Sequence, residues 1–375
     1  MEPVVTASFT LANWIAKGLA DGSFERFGGV IREAATGRVV TFLREAGSTV
    51  ASVPQQLQMA QGALMVTSAA SVLSLGVSVM GFALVMQRIN ELEERLKQTE
   101  ELLKKIDRKI DLSFYANLRA ALDSAVSAFT ASKGETRRSM AILAINRFLE
   151  AEHIYTGYTD TELEQKSQIA DEYLLTLSLA YLTEARCYLE LEEYDIALRR
   201  FQEGAKVVRS RIQKYVDILL TSNPAAYLQP QYKGQIDLRR LTRIHQWTNP
   251  ALDENEVFEL YRENFVEFVK DPNKWVDSLP PAILARVEVP WGWFGPNPEH
   301  LKEEAIKRLP KVLERVESII ETYRRLEAYQ AEIQAIAQLG ISFHDWLKLA
   351  PSETKPDEAE LMYIIPSKPL ELAIS

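Results

Sequence analysis

Ala63 to Met86 reads ALMVTSAASVLSLGVSVMGFALVM, and it runs on into Gln87 to Ser113, QRINELEERLKQTEELLKKIDRKIDLS. No residue from Ala46 to Gln87 carries a charge. At about 1.5 Å of rise per residue, a helix over the first stretch is long enough to cross a hydrocarbon core of about 30 Å. Ala70, Ser74 and Ser78 recur at intervals of one helical turn, a small-residue row along which another helix backbone can approach closely. Val77 lies mid-span, and Gly76 and Gly81 sit on other faces. A buried core helix is the competing reading. The length and the missing polar stripe favour a segment that enters a membrane, permanently or after a conformational change.

The charged stretch is a heptad. Ile89, Leu96, Leu103 and Ile110 hold one core position, and Leu92, Thr99, Ile106 and Ser113 the other. Seven acids and seven bases share Arg88 to Asp111, so its surface is balanced and well solvated. The residues expected to drive self-association are therefore Ile89, Leu92, Leu96, Leu103, Ile106 and Ile110. The helical pattern continues through Phe114, Leu118, Leu122, Val126 and Phe129 to a break near Gly134. One helix from 63 to 131 would be on the order of 100 Å long, so it either folds back or projects as a stalk. Bases flank the apolar span on both sides (Arg38 and Arg44, Arg88 and Arg95) and leave its orientation open.

The chain has 375 residues, 47% of them hydrophobic, enough for two or three domains and a sizeable core. A net charge of -9 and a pI near 5.3 argue against a general nucleic-acid binder. A single cysteine, Cys187, excludes an internal disulfide framework and fits a reducing compartment. The opening MEPVVTASF has no basic stretch before its apolar residues and does not read as a secretory signal. The expected location is the cytoplasm on synthesis, followed by membrane association or insertion.

The expected organisation is all-α, a long-helix coiled coil or bundle beside a compact helical domain. Residues 1–52 read as two amphipathic helices, one with Phe9, Leu11, Ile15 and Leu19, the next with Ile31, Val39, Val40, Phe42 and Leu43. Residues 53–134 hold the apolar helix and stalk. Residues 135–222 form a helical domain, and 223–298 a connector rich in proline and aromatics. The cluster Trp291, Trp293 and Phe294 in that connector is a candidate interface loop, or else a plug over the helical core. Residues 299–350 form a long helix with the stripe Leu309, Val312, Val316, Ile319, Tyr323, Leu326 and Ile333. Pro310 is expected near its first turns and the heptad at 89–113 as its packing partner. The tail, 351–375, ends in an apolar run at Leu361 to Ile365 that suits a strand or a groove.

Within the helical domain, Ala180 to Val208 places Tyr181, Ala185, Tyr188, Tyr194, Ala197, Phe201 and the pair Gly204-Ala205 where small residues would sit at a helix crossing, with aromatics beside them. This segment resembles one tetratricopeptide repeat, which implies a helical hairpin. It departs from the repeat at Glu184, where leucine is usual, at Glu192 in place of the turn glycine, and at Arg209 in place of the closing proline. Cys187, inside it, reads as a packed small residue.

Catalytic signatures are weak. Glu150 and His153 make one Glu-x-x-His step without the second that a di-iron bundle needs. Arg240 and His245 have the Arg-x4-His spacing that HEPN ribonucleases use around a phosphate. The histidines at 153, 245, 300 and 344 are too scattered for zinc. The expectation is a non-enzymatic protein with no metal or cofactor. In layout it resembles α-helical pore-forming toxins and the membrane-acting effectors of bacterial defence and conflict. That likeness implies lipid membrane and further copies of the chain as partners; the acidic charge argues for no nucleic acid. The alternative is a non-enzymatic helical scaffold, membrane-anchored or soluble, that docks another protein.

Overall fold

Leu118, Ala121, Leu122, Ala125 and Ala128 follow each other at intervals of three and four, and all five are buried on helix α2, Leu112–Thr130. The computed structural model describes residues 13–27, 30–45, 112–167, 169–220, 226–227, 230–232, 234, 236–271, 274–284, 291–292, 295–296, 298–348 and 361–364. About four-fifths of these residues are helical (79%), so the helical expectation holds in the main, yet a small β-sheet is also present. The apolar span 63–86 and the heptad at 89–110 lie outside the described residues. No helix among the described residues is long and apolar enough to cross a membrane.

α2 packs against α3, Gly134–Glu164, and α3 against α4, Ala170–Glu190. α4 is the centre of the body. It packs on α5, Tyr194–Leu220, which in turn lies along α9, Pro298–Leu339. The stripe predicted on α9 is buried throughout, from Leu309 to Ile333. Pro310 lies well inside this helix rather than near its first turns, and the helix continues through it. Among the described residues, α9 finds its main packing partner in α5.

The region 223–298, expected as a connector rich in proline and aromatics, contains three α-helices among its described residues: α6, Leu238–Thr248, α7, Glu254–Lys270, and the short α8, Lys274–Asp277. Their starts are encoded locally. Asp237 caps α6 by accepting from Arg240 N at 2.7 Å. Asp253 and Glu256 form a reciprocal capping box, each side chain accepting from the other's backbone N–H at 2.8 Å.

The N-terminal expectation needs a similar correction. Only its first half is a helix, α1, Asn13–Asp21. The second apolar series forms strands: β1, Phe24–Phe27, β2, Val30–Glu33, and β3, Val39–Glu45. Gly37, at φ 72°, lets the chain turn between β2 and β3. The β-branched residues Val30, Ile31, Val39, Val40 and Thr41 suit a pleated, buried surface better than a helix. After the two-residue strands β4, Trp291–Gly292, and β5, Gly295–Pro296, the tail supplies β6, Leu361–Ile364, which pairs antiparallel with β3. The sheet order is β1-β2-β3-β6, so sequence from both ends of the chain meets in one sheet. Phe42 packs edge-on against Trp346 of α10, Phe343–Lys348, with ring centroids 5.5 Å apart.

Candidate functional site

The residues expected to pack in a membrane (Ala70, Ser74, Val77, Ser78 and Gly81) and those expected to oligomerise lie outside the described residues, as do Trp293 and Phe294. Trp291 is placed by its backbone in β4, paired with Pro296.

What the structure does describe in full is the α4–α5 hairpin and its ionic surroundings. Ala185, Ala197, Phe201 and Ala205 are buried at the hairpin crossing, with Tyr181 beside them. Gly204 faces the ring of Tyr181 so closely that a Cβ there would collide with it. Phe201 carries the contact onward to Tyr329 of α9, at 6.2 Å between centroids. Tyr194 Oη accepts from Phe343 N at 3.2 Å and ties the start of α5 to α10.

The three positions that break the repeat pattern each have a structural role. Glu184 is fully buried on the inward face between Tyr181 and Ala185. A charge there requires a partner, and Arg200 of α5 supplies it, with Nε 2.9 Å from Glu184 Oε1 and Nη2 3.3 Å from Oε2. The same Nη2 lies 2.7 Å from Oε2 of Glu152 on α3, and Nη1 lies 3.2 Å from Glu203. Burial, then the neighbouring Glu184 carboxylate, push the Glu152 carboxyl up to about 10 against the pull of Arg200. The protonated form of Glu152 is thereby favoured beside the Glu184 carboxylate. Glu192, in the turn, adopts φ 62°. Arg209, at the third position, reaches Tyr323 of α9 and lies over the Trp247 ring of α6.

A second ionic node lies just beyond the first, at the C-terminal end of α4. Arg186 lies 4.0 Å from the centroid of the Phe129 ring and 3.5 Å from Glu190, which His344 approaches at 3.3 Å. Arg137 of α3 meets the same His344 nitrogen at 3.0 Å, and Trp346 Nε1 donates to Glu332 at 2.6 Å. Burial pushes the Glu190 carboxyl up, with Arg186, His344 and Arg137 acting against it. Cys187 is buried within α4, and burial pushes its thiol up, which disfavours the thiolate. A third buried pair, Asp171 with Arg315, joins α4 to α9.

Arg240 and His245 have different partners. Arg240 makes a bidentate pair with Glu317 at 2.8 and 2.7 Å, and His245 shares a hydrogen bond with Tyr261 at 2.9 Å. Burial lowers the His245 pKa. Glu150 and His153 are exposed on α3, and among the described residues no group of three His, Cys, Asp or Glu side chains could hold a metal ion. These ionic nodes hold the helices together. Periodicity alone does not reveal Glu152 or Arg200; the one signal in the sequence is Glu184 on an apolar face. No family model, curated protein or solved structure matches the chain.

Proposed function

We propose that the protein is a membrane-inserting, oligomerising helical protein of the pore-forming or conflict-effector kind. In this reading the segment 63–86 is the working element and the helical body holds it. The reading is carried by a contrast between two long apolar stretches of one chain. α4 has 19 of its 21 residues buried, yet Asp171, Glu184, Arg186 and Glu190 are among them. Each of the four meets an opposite charge: Arg315, Arg200, or its helix neighbour. This core helix thus carries ion pairs, two of them to neighbouring helices, and 63–86 has no charge with which to do so. A wholly uncharged span of that length suits lipid better than such a core. The test is extraction: after incubation with vesicles, the full chain should stay with the membranes through an alkaline carbonate wash. Complete release into the wash would count against insertion.

A second reading has an observation of its own. Phe258, Val266 and Val269 lie within one arc of α7 and are 50%, 58% and 63% exposed. That stripe favours a scaffold that docks a protein partner, with the tetratricopeptide-like hairpin as part of its frame. Charged substitutions along it should abolish partner capture and leave vesicle binding unchanged.

A further inference from the structure

Five elements (β1, β2, α5, α6 and α9) meet around Glu327, and each brings a cation or an aromatic ring. Arg209 of α5 lies 5.2 Å from the Tyr323 ring centroid and 5.7 Å from that of Trp247, at the end of α6. Its Nη1 is 3.4 Å from Tyr323 Oη and 3.9 Å from Glu327 Oε1. Arg32 of β2 stands 4.1 Å from the Phe27 ring centroid, and Arg324 of α9 stands 6.0 Å from the same ring. Arg32 is balanced by Glu25 at 2.8 Å. Arg324 has no ion-pair partner among the described residues. Glu327, 3% exposed, lies 3.9 Å from Arg209 and within the electrostatic reach of Arg32 and Arg324.

We propose that Arg209, Arg324 and Arg32 form a site for a phosphate group, carried on a phospholipid headgroup or on a free phosphate monoester, with Glu327 as an internal competitor for the same cations. The chemistry follows from the donors. Guanidinium forks match phosphate oxygens, and three of them from three elements exceed what Glu25, paired with Arg32, and Glu327, 3.9 Å from Arg209, can satisfy. Arg209 is 37% exposed, so the site opens to solvent, while Tyr323 beneath it is buried. Aromatic rings hold the guanidiniums in place and lower the ordering cost of binding. Burial raises the Glu327 carboxyl to about 7, with Arg209, Arg32, Arg324 and the Tyr323 hydroxyl acting against it. Protonation of Glu327 removes the competing charge, so the site binds an anion better in its protonated form. The assignment is independent of whether 63–86 enters a bilayer.

The experiment uses the full chain, Glu327→Gln, and the double variant Arg209→Gln/Arg324→Gln, each checked for a single cooperative melting transition. One arm titrates glycerol phosphate by calorimetry, with no bilayer present. The other floats the proteins with phosphatidylcholine vesicles, with and without phosphatidic acid. Because phosphate itself titrates, parent and Glu327→Gln are compared with each other at each pH. They should bind alike near about pH 5, and at about pH 8 the variant should bind about tenfold tighter. The double variant should lose about tenfold or more in whichever arm responds. A response confined to phosphatidic acid vesicles identifies a headgroup, and a calorimetric response a free phosphate. No response in either arm, or equal binding by all three proteins, overturns the site.

Discussion

Glu152 and Glu184 share Arg200 where α3 crosses α4, and burial together with the neighbouring Glu184 carboxylate pushes the Glu152 carboxyl up, which favours its protonated form. Replacing Glu152 by glutamine reproduces the protonated form and should change stability by no more than about 1 kcal/mol at neutral pH. Arg200→Met leaves Glu184 buried without its cation and should cost about 3–5 kcal/mol. Denaturant unfolding of both variants decides the point. Equal losses would mean that Glu152 is ionised.

The turn between α4 and α5 is strained at one residue. Glu192 sits at φ 62°, a conformation that costs a residue with a Cβ about 1–2 kcal/mol. Glu192→Gly should therefore raise stability by about 1 kcal/mol, and Glu192→Ala should not. A glycine variant no more stable than the alanine variant would place the strain elsewhere.

Glu327 makes stability depend on pH in a defined direction. Its folded pKa is raised to about 7 from 4.5, so the folded state binds more protons across that window. The contribution is fully present below about pH 4.5 and is lost as pH rises through about 7. Glu327→Gln removes the dependence. Its stability relative to the parent should improve by about 3 kcal/mol between pH 4.5 and pH 8, read from paired unfolding curves. A constant difference would show that Glu327 does not titrate there.

The small-residue row carries a prediction about assembly. If Ala70, Ser74 and Ser78 form the contact between protomers, Ser74→Leu/Ser78→Leu closes the approach of the second backbone and should abolish the oligomer on vesicles. Crosslinking on vesicles reads the outcome. Unchanged oligomer size would move the contact to another face.

The helices were legible where spacing left one reading. Leu118 and Leu122, or Leu309 to Leu326, repeat at three and four and lie buried on α2 and α9. Val39 to Phe42 was not legible, because four consecutive β-branched or apolar residues fit both periods. Part of their pairing comes from β6, far along the chain. The helix start at Asp253 was written in its capping box and obscured by the surrounding prolines. Arg200 and Glu152 were hidden for a different reason: charges on amphipathic helices ordinarily mark the solvated face. Only Glu184, between two inward residues, signalled a buried ion pair.

The central claim is that 63–86 acts in a bilayer, and dye release from liposomes by detergent-free protein, run beside Val77→Asp, tests it most directly. A charge at mid-span should cost a few kcal/mol in lipid. The account predicts release by the parent and none by a variant that keeps the parent's melting transition. A parent that releases nothing, beside a variant that no longer folds, would contradict it and place the segment in the core of a scaffold.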